Sequence, residues 1–429
     1  MTIKENTYHN YLSFASVLLI LMPLALISGP FLPDLFIVLI SFIFLFTLNK
    51  KRELFNLKSN FFIFFLIFYS YLILTSILSD NFYQSIKPSI TYLRFGFFSL
   101  AVFFILNNKK NFIKYFYFMM CFTLIVLIFD GYFQFITEKN IFNFKGVRPD
   151  RLGGLFFDEL ILGSYLGKIL PIFFIFYLLN KKYINKYYIL ILTLLSYILV
   201  FLSGERSAFF TTTLYLIMVT PFLVGIKRSI TIFVLIGTIF GILIATNENI
   251  KSRYYDQMLM HTIGVGKYAG DNNAEITFMP DHIGLFSSAI DIFKKNFFVG
   301  GGVKTYRIYC KNNKNKKLIE IKKNHPNMLT CNTHPHNYYL QLLAETGLIG
   351  FLFVFVVFIK LIINYFKQVY FLIKLDKNYN KGYVVILSGL IVYIWPLTTT
   401  GSFFNNWICS ILFLQIGIYL YVMENEFKN

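Results

Sequence analysis

The sequence predicts an all-α polytopic membrane protein of about twelve transmembrane helices, with a large outward loop between the ninth and tenth. Three observations point there. The 429 residues are 56% hydrophobic and only 14% charged, where a soluble domain carries roughly a quarter charged residues. Apolar runs long enough to cross a bilayer recur along the chain. Basic residues gather in every second linker between those runs. The net charge of +19 is therefore an orientation signal rather than a footprint for nucleic acid, and the expected surroundings are membrane lipids.

In chain order the spans are expected at about 11–28, 31–48, 61–78, 89–107, 113–136, 161–179, 187–203, 207–225, 229–246, 346–366, 382–400 and 407–423. The first run lacks a small-residue cleavage site and a second follows at once, so it reads as a span rather than a signal peptide. Pro23, Pro171 and Pro221 fall inside spans, where neighbouring helices accommodate them. No internal repeat of the inverted-half kind is present. The basic linkers hold Lys50, Lys51, Arg52 and Lys58; Lys109, Lys110 and Lys114; Lys181, Lys182 and Lys186; Lys227 and Arg228; and Lys367, Lys374, Lys377 and Lys381. Those linkers are expected in the cytoplasm, and an even span count places both termini there. The chain divides into helices one to nine (1–246), the large loop (247–345), and helices ten to twelve with a short tail (346–429). A second outward segment, 137–160, reads TEKNIFNFKGVRPDRLGGLFFDEL. Loops of this length are uncommon unless functional.

Four ionisable residues sit at or near the outward ends of spans: Arg94, Asp130, Arg151 and Arg206. Charges at membrane depth are costly and mark function by default, although snorkelling or an Arg–Asp pair between helices is the plainer reading. Asp130 reads as structural. Arg94, Arg151 and Arg206 read as anion ligands, because guanidinium forks pair with phosphate oxygens and stay charged. Cys121 and Cys409 lie in apolar spans as core residues. Cys310 and Cys331 share the outward loop, where an oxidising compartment favours a disulfide over two thiols.

The richest stretch is 333–350, THPHNYYLQLLAETGLIG. Neutral imidazole accepts protons near pH 7, so His336 is a candidate general base with His334 in support. Asn337 is placed to N-cap the helix YYLQLLAE, bringing a positive helix end beside His336. Leu340, Leu343, Ala344 and Gly347 share one face of that helix, which is expected to pack inward. Other readings remain: a metal site made with His325, or a structural pair at a helix start. His261 and His282 have weaker claims. Glu345 orients a substrate or ties helices together. Lys304 and Arg307, on FFVGGGVKTYRIYC, are candidate contacts to an anionic or sugar ligand. VGGGVK lacks the spacing of a phosphate-binding Walker loop, GERSA is not a nucleophile elbow, and Ser207 reads as a helix cap.

The stretch THPHNYYLQLLAETGLIG resembles the signature of the O-antigen ligase and O-antigen polymerase superfamily. LMPLALISGPFLPDLFIVLI, RLGGLFFDELILGSYL, LSGERSAF, FFVGGGVKTYRIYC and WPLTTTGSFFNNW are similar, in order, to further family segments, so the likeness spans nearly the whole chain. It implies a GT-C-like membrane enzyme of the bacterial inner membrane with its site facing the periplasm. Such an enzyme transfers a glycan from undecaprenyl pyrophosphate to an acceptor hydroxyl, without metal, nucleotide sugar or other cofactor. By the same resemblance His336 is the catalytic residue and Arg206 engages the pyrophosphate, with Arg151 and Arg94 matching less closely. A ligase, with lipid A–core as acceptor, is favoured by the position of the large loop. The alternatives are a polymerase joining lipid-linked repeats and a flippase for the same lipid-linked sugar.

Overall fold

The computed structural model describes residues 3–51, 59–109, 111–180, 185–260, 282–312, 329–374 and 379–426. His261 and His325 lie outside them, as do Arg52, Lys58, Lys110, Lys181, Lys182 and Lys377 of the basic linkers.

Helices dominate: α1 (Ile3–Ala25), α2 (Phe31–Lys51), α3 (Asn60–Ile77), α4 (Phe82–Asn108), α5 (Phe112–Thr137), α6 (Leu162–Asn180), α7 (Lys186–Leu202), α8 (Arg206–Val224) and α9 (Ile226–Thr246). There follow α10 (Glu248–Lys251), which runs into a π-helical stretch (Ser252–Met260), then α11 (Ile283–Lys295), α12 (Tyr306–Asn312), α13 (Tyr338–Ile373), α14 (Lys381–Tyr393) and α15 (Asn406–Glu426). Among the described residues eight helices are long and apolar enough to cross a membrane. Four shorter apolar stretches, Asn10–Ala25, Phe31–Thr47, Lys186–Leu202 and Lys381–Tyr393, lie where four further spans are expected. The chain is thus a multi-pass helical membrane protein.

Close approach holds the bundle together where side chains are small. A Cβ added to Gly417 of α15 would lie 2.6 Å from the Ser99 carbonyl oxygen of α4, so only glycine fits there. Beside it the Ser99 hydroxyl donates to the Phe413 carbonyl at 2.8 Å. Aromatic packing fills wider gaps, as where Phe95 stacks on Phe413 with centroids 5.4 Å apart. Apolar side chains also face outward: Ile230, Val234, Leu235 and Ile242 of α9 are all exposed, as suits a helix whose surroundings are lipid tails.

Among the boundaries that differ from expectation, three have a local reason. Helix α4 starts at Phe82 and carries Pro88 inside it, where the span was expected from residue 89. Its first turns are held by a cluster of buried hydroxyls, with Ser76 Oγ 2.7 Å from the hydroxyls of both Ser85 and Ser89. Helix α13 starts at Tyr338, not at residue 346, but is kinked at Gly347. Helix α14 ends at Tyr393, short of residue 400, because Pro396 cannot continue a helix and restricts the residue before it.

The connections 26–30, 78–81, 138–161, 203–205 and 394–405, with the described parts of 247–337, join the ends of odd spans to the starts of even ones, and so collect at one end of the bundle. The described basic residues Lys50, Lys51, Lys109, Lys114, Lys186, Lys227, Arg228, Lys374 and Lys381 belong to the helix ends at the other. Contacts between those loops bind the first end into one body: Ser79 Oγ donates to the Gly301 carbonyl, and Tyr309 Oη to Asp80 Oδ2 at 3.1 Å. Asp130 belongs to the same scaffold, since it is buried and its Oδ1 accepts from Ile141 N at 2.9 Å.

Candidate active site

A cavity of about 940 Å³ opens at this end, bounded by residues from 26–30, 151–171, 205–215, 253, 282, 304–307, 333–338 and 389–415. Four short segments deliver most of its charged side chains.

The first is the glycine-rich turn. At Gly347 the backbone of α13 leaves the helical region (φ 64°, ψ −168°), which breaks the bonds that Leu348 and Ile349 N–H would make to the Ala344 and Glu345 carbonyls. The turn replaces both. Gly301 and Gly302 N–H donate to Ala344 O at 2.9 Å and Glu345 O at 2.8 Å, while Leu348 N–H donates to Phe297 O at 2.8 Å. Ile349 N–H, at 3.4 Å, reaches Phe298 O. A Cβ on Gly300 or Gly347 would come within 2.4 Å of backbone atoms of the opposing strand of this interlock. The buried Glu345 carboxylate completes it, accepting from Tyr306 N at 3.2 Å and Gln341 Nε2 at 3.0 Å. Lys304 and Arg307 leave this turn for the cavity. Burial lowers the Lys304 ammonium from its ordinary value.

The second segment is the turn between α7 and α8. Gly204 has φ +70°, and a Cβ there would lie 2.4 Å from the Asp150 carbonyl oxygen. Glu205, buried, reaches across to the start of α6, accepting from Gly163 N at 2.6 Å and Ser164 Oγ at 2.6 Å. Burial raises its carboxyl, opposed by the Ser164 hydroxyl and the nearby Arg151. Arg206 follows as the first residue of α8 and lines the cavity.

The third is the loop RPDRLGG. Arg151 lines the cavity and donates through Nη2 to Leu160 O at 2.7 Å. Asp150 pairs with Arg148 at 2.9 Å and lies 3.6 Å from Arg253 Nη1. Arg253, buried at the head of the π-helical stretch, donates from Nε to the Gly204 carbonyl at 2.8 Å and also lines the cavity. Its guanidinium is lowered to about 10, first by burial and then by neighbouring Arg206. At neutral pH it keeps its charge.

The fourth is the histidine segment. Asn337 caps α13 by accepting from Tyr339 N and Leu340 N, both at 3.0 Å, and its amide donates to Pro396 O at 2.7 Å and Thr398 O at 3.2 Å. His336 has φ +58°, a conformation few non-glycine residues adopt, and its carbonyl accepts from Thr400 N at 2.8 Å. The rings of His334 and His336 lie 4.3 Å apart by centroid, and His282 sits 5.3 Å from His336. Burial lowers both histidines, His334 to about 4, and so favours the uncharged form of each. Behind them Cys310 and Cys331 form a disulfide with Cα atoms 5.3 Å apart. Among the described residues no three of His, Cys, Asp and Glu are placed to hold a metal ion.

The structure therefore brings His334, His336, Arg151, Arg206, Lys304 and Arg307 to one cavity. Three other candidates do not line it. Arg94 is ion-paired with Asp34 of α2 at 2.7 Å and lies over the Phe95 ring, which is the inter-helix pair that sequence allows as the plainer reading. Asn337 spends its side chain on the helix cap and the 396–398 carbonyls, and Glu345 spends its carboxylate on the glycine interlock. The helix after Asn337 is buried around most of its girth, including Gln341, Leu342 and Glu345, while Leu340 and Leu343 of the expected face are only half-buried. Polar partners on α12 and the 402–403 turn explain this: Gln341 binds Ser402 Oγ at 2.9 Å and Phe403 N at 2.8 Å.

Two cavity cations are absent from the sequence-based list. Lys168 is signalled by its position, a lone lysine in the apolar run GSYLGKILPIFF; its ammonium lies 5.5 Å from the Tyr393 ring centre. Arg253 has no comparable signal, because nothing in its local sequence says that it folds back on Gly204. Among the described lining residues, six basic side chains (Arg151, Lys168, Arg206, Arg253, Lys304, Arg307) face two acidic ones (Glu159, Glu205). Such a chamber attracts an anion, and its buried guanidiniums suit a phosphate-like group.

Residues 190–355 match the family model described as O-antigen ligase, a span that runs from α7 through the kink of α13. This match supports the superfamily resemblance. No curated protein matches the chain significantly.

Proposed function

We propose that the chain is an inner-membrane glycosyltransferase that moves an O-antigen-type glycan from undecaprenyl pyrophosphate to a hydroxyl of lipid A–core, with the cavity facing the periplasm. One observation carries this reading: His336 and the arginines Arg151, Arg206, Arg253 and Arg307 line one chamber. The carrier's pyrophosphate sits among the guanidiniums, with Lys304 adding charge. The acceptor hydroxyl meets the neutral imidazole of His336. As the hydroxyl oxygen attacks the anomeric carbon its proton passes to His336, and the bond from that carbon to the pyrophosphate oxygen breaks. The departing electron pair stays on the pyrophosphate, where fixed cations in a site of low dielectric stabilise it. The chain's own residues supply the base and the charge for this step.

A reconstituted assay tests it: purified protein in bilayers, a polyprenyl-pyrophosphate-linked glycan, and lipid A–core. Wild type should form glycan-bearing lipid A–core, and His336→Ala should lose at least about 100-fold in rate, the scale of general base catalysis. Undiminished transfer by His336→Ala would remove the base from the mechanism. The polymerase reading makes a different product, longer lipid-linked glycan when only donor is supplied.

A further inference from the structure

We infer that Asn332, outside the cavity lining, is a positioning residue that fixes the tautomer of His336, placing the proton on Nδ1 and the reactive lone pair on Nε2. The inference rests on His336 acting as the base. Asn332 Nδ2 lies 3.1 Å from His336 Nε2. The orientation of the amide is set independently, because its Oδ1 accepts from Thr333 N at 2.7 Å. The group facing the ring is therefore the NH₂, which can only donate. A neutral imidazole offers one lone pair and one N–H, so the nitrogen that accepts from Asn332 must be the unprotonated one. The remaining ring nitrogen carries the proton. The ring is thus held by a donor of fixed orientation.

The surroundings explain why Asn332 can do this. It follows Cys331 directly, and the Cys310–Cys331 disulfide ties that point of the chain to α12. Four residues on, the positive φ of His336 turns the ring back toward Asn332. In the resting enzyme the Asn332 N–H occupies the lone pair that the acceptor hydroxyl must use. The hydroxyl displaces it, and its proton then goes to Nε2. The titratable and charged neighbours of the pair are His334 on the same segment, His282 at the start of α11 and Arg307 on α12.

The test uses the full chain in lipid nanodiscs with ¹⁵N-labelled histidine, of which there are six, the His336 signals being identified by their absence in His336→Gln. Wild type should show His336 protonated at Nδ1 with a pyridine-type Nε2. In Asn332→Asp a carboxylate replaces the donor and draws a proton to Nε2. That ring signal should change, the acid limb of the transfer profile should move to higher pH, and the rate at pH 7 should fall at least about tenfold. Asn332→Ser, which keeps a hydroxyl donor, should retain more activity than Asn332→Asp. A wild-type ring protonated at Nε2, or an Asn332→Asp ring unchanged from wild type, overturns the inference. If the ring state follows residue 332 while His336→Ala transfers normally, the tautomer control stands and the base assignment falls.

Discussion

Arg253 shows most plainly how the site depends on single side chains. Its guanidinium binds the Gly204 carbonyl and approaches Asp150 while still lining the cavity. Arg253→Ala should raise the donor KM by about 10- to 100-fold, the effect of losing a charge-assisted contact of about 1.5–3 kcal/mol, and Arg253→Lys should recover little because the fork is lost. Steady-state kinetics against lipid-linked donor checks this. His336 gives a pH prediction. Burial lowers its ring below the ordinary 6.5, so the neutral form persists as pH falls through that value. Transfer should hold its rate down through pH 6.5 and decline only below it, whereas a limb at or above 6.5 would contradict a buried base. At this scale the histidines and Arg206 were legible, because their motifs are contiguous. Lys168 was legible in principle, since a charge in an apolar run needs a reason. Arg253 was not, because a cavity wall assembled from distant segments leaves no local pattern.

The kink of α13 and the glycine-rich turn act as one element. Each supplies the backbone partners the other lacks, and together they set Lys304 and Arg307 at the cavity. Gly347→Ala should destabilise the protein by at least about 1–3 kcal/mol, the cost of a strained left-handed backbone, with further loss from the clash against Phe298. A lower melting temperature of the detergent-solubilised variant would check it, and an unchanged one would mean that the interlock is dispensable. Sequence periodicity placed a helix over YYLQLLAE and a span from residue 346, and the structure joins them into one kinked helix. The two readings meet at Gly347. What periodicity could not supply was the partner turn, since backbone hydrogen bonds across 43 to 51 residues of chain leave no trace in either segment alone. The early end of α14 was missed although Pro396 marks it, because WPLTTTG is apolar enough to pass for membrane.

Across the whole molecule, the connections from odd spans to even ones bring the walls of the candidate cavity to one end of the bundle. The order of apolar segments was legible because burial in lipid demands long uninterrupted runs. Their convergence on one chamber was not, since helix packing is set by small residues and aromatics whose partners lie far apart in sequence. The disulfide ties Cys331, just before the histidine segment, to α12. Replacing Cys310 and Cys331 by serine should cost on the order of 3 kcal/mol locally, as expected for closing a loop of 21 residues. Limited proteolysis should show the 282–337 region opening, with transfer reduced in the same preparation. Resistance equal to wild type would remove the disulfide from the support of the site. The most direct test of the transferase account is a structure of the protein with a non-transferable lipid-linked glycan. It should place the pyrophosphate between Arg206 and Arg253, with the anomeric carbon facing His336 across a gap that one hydroxyl fills. A carrier bound outside this chamber, or a pyrophosphate with no arginine contact, would contradict it.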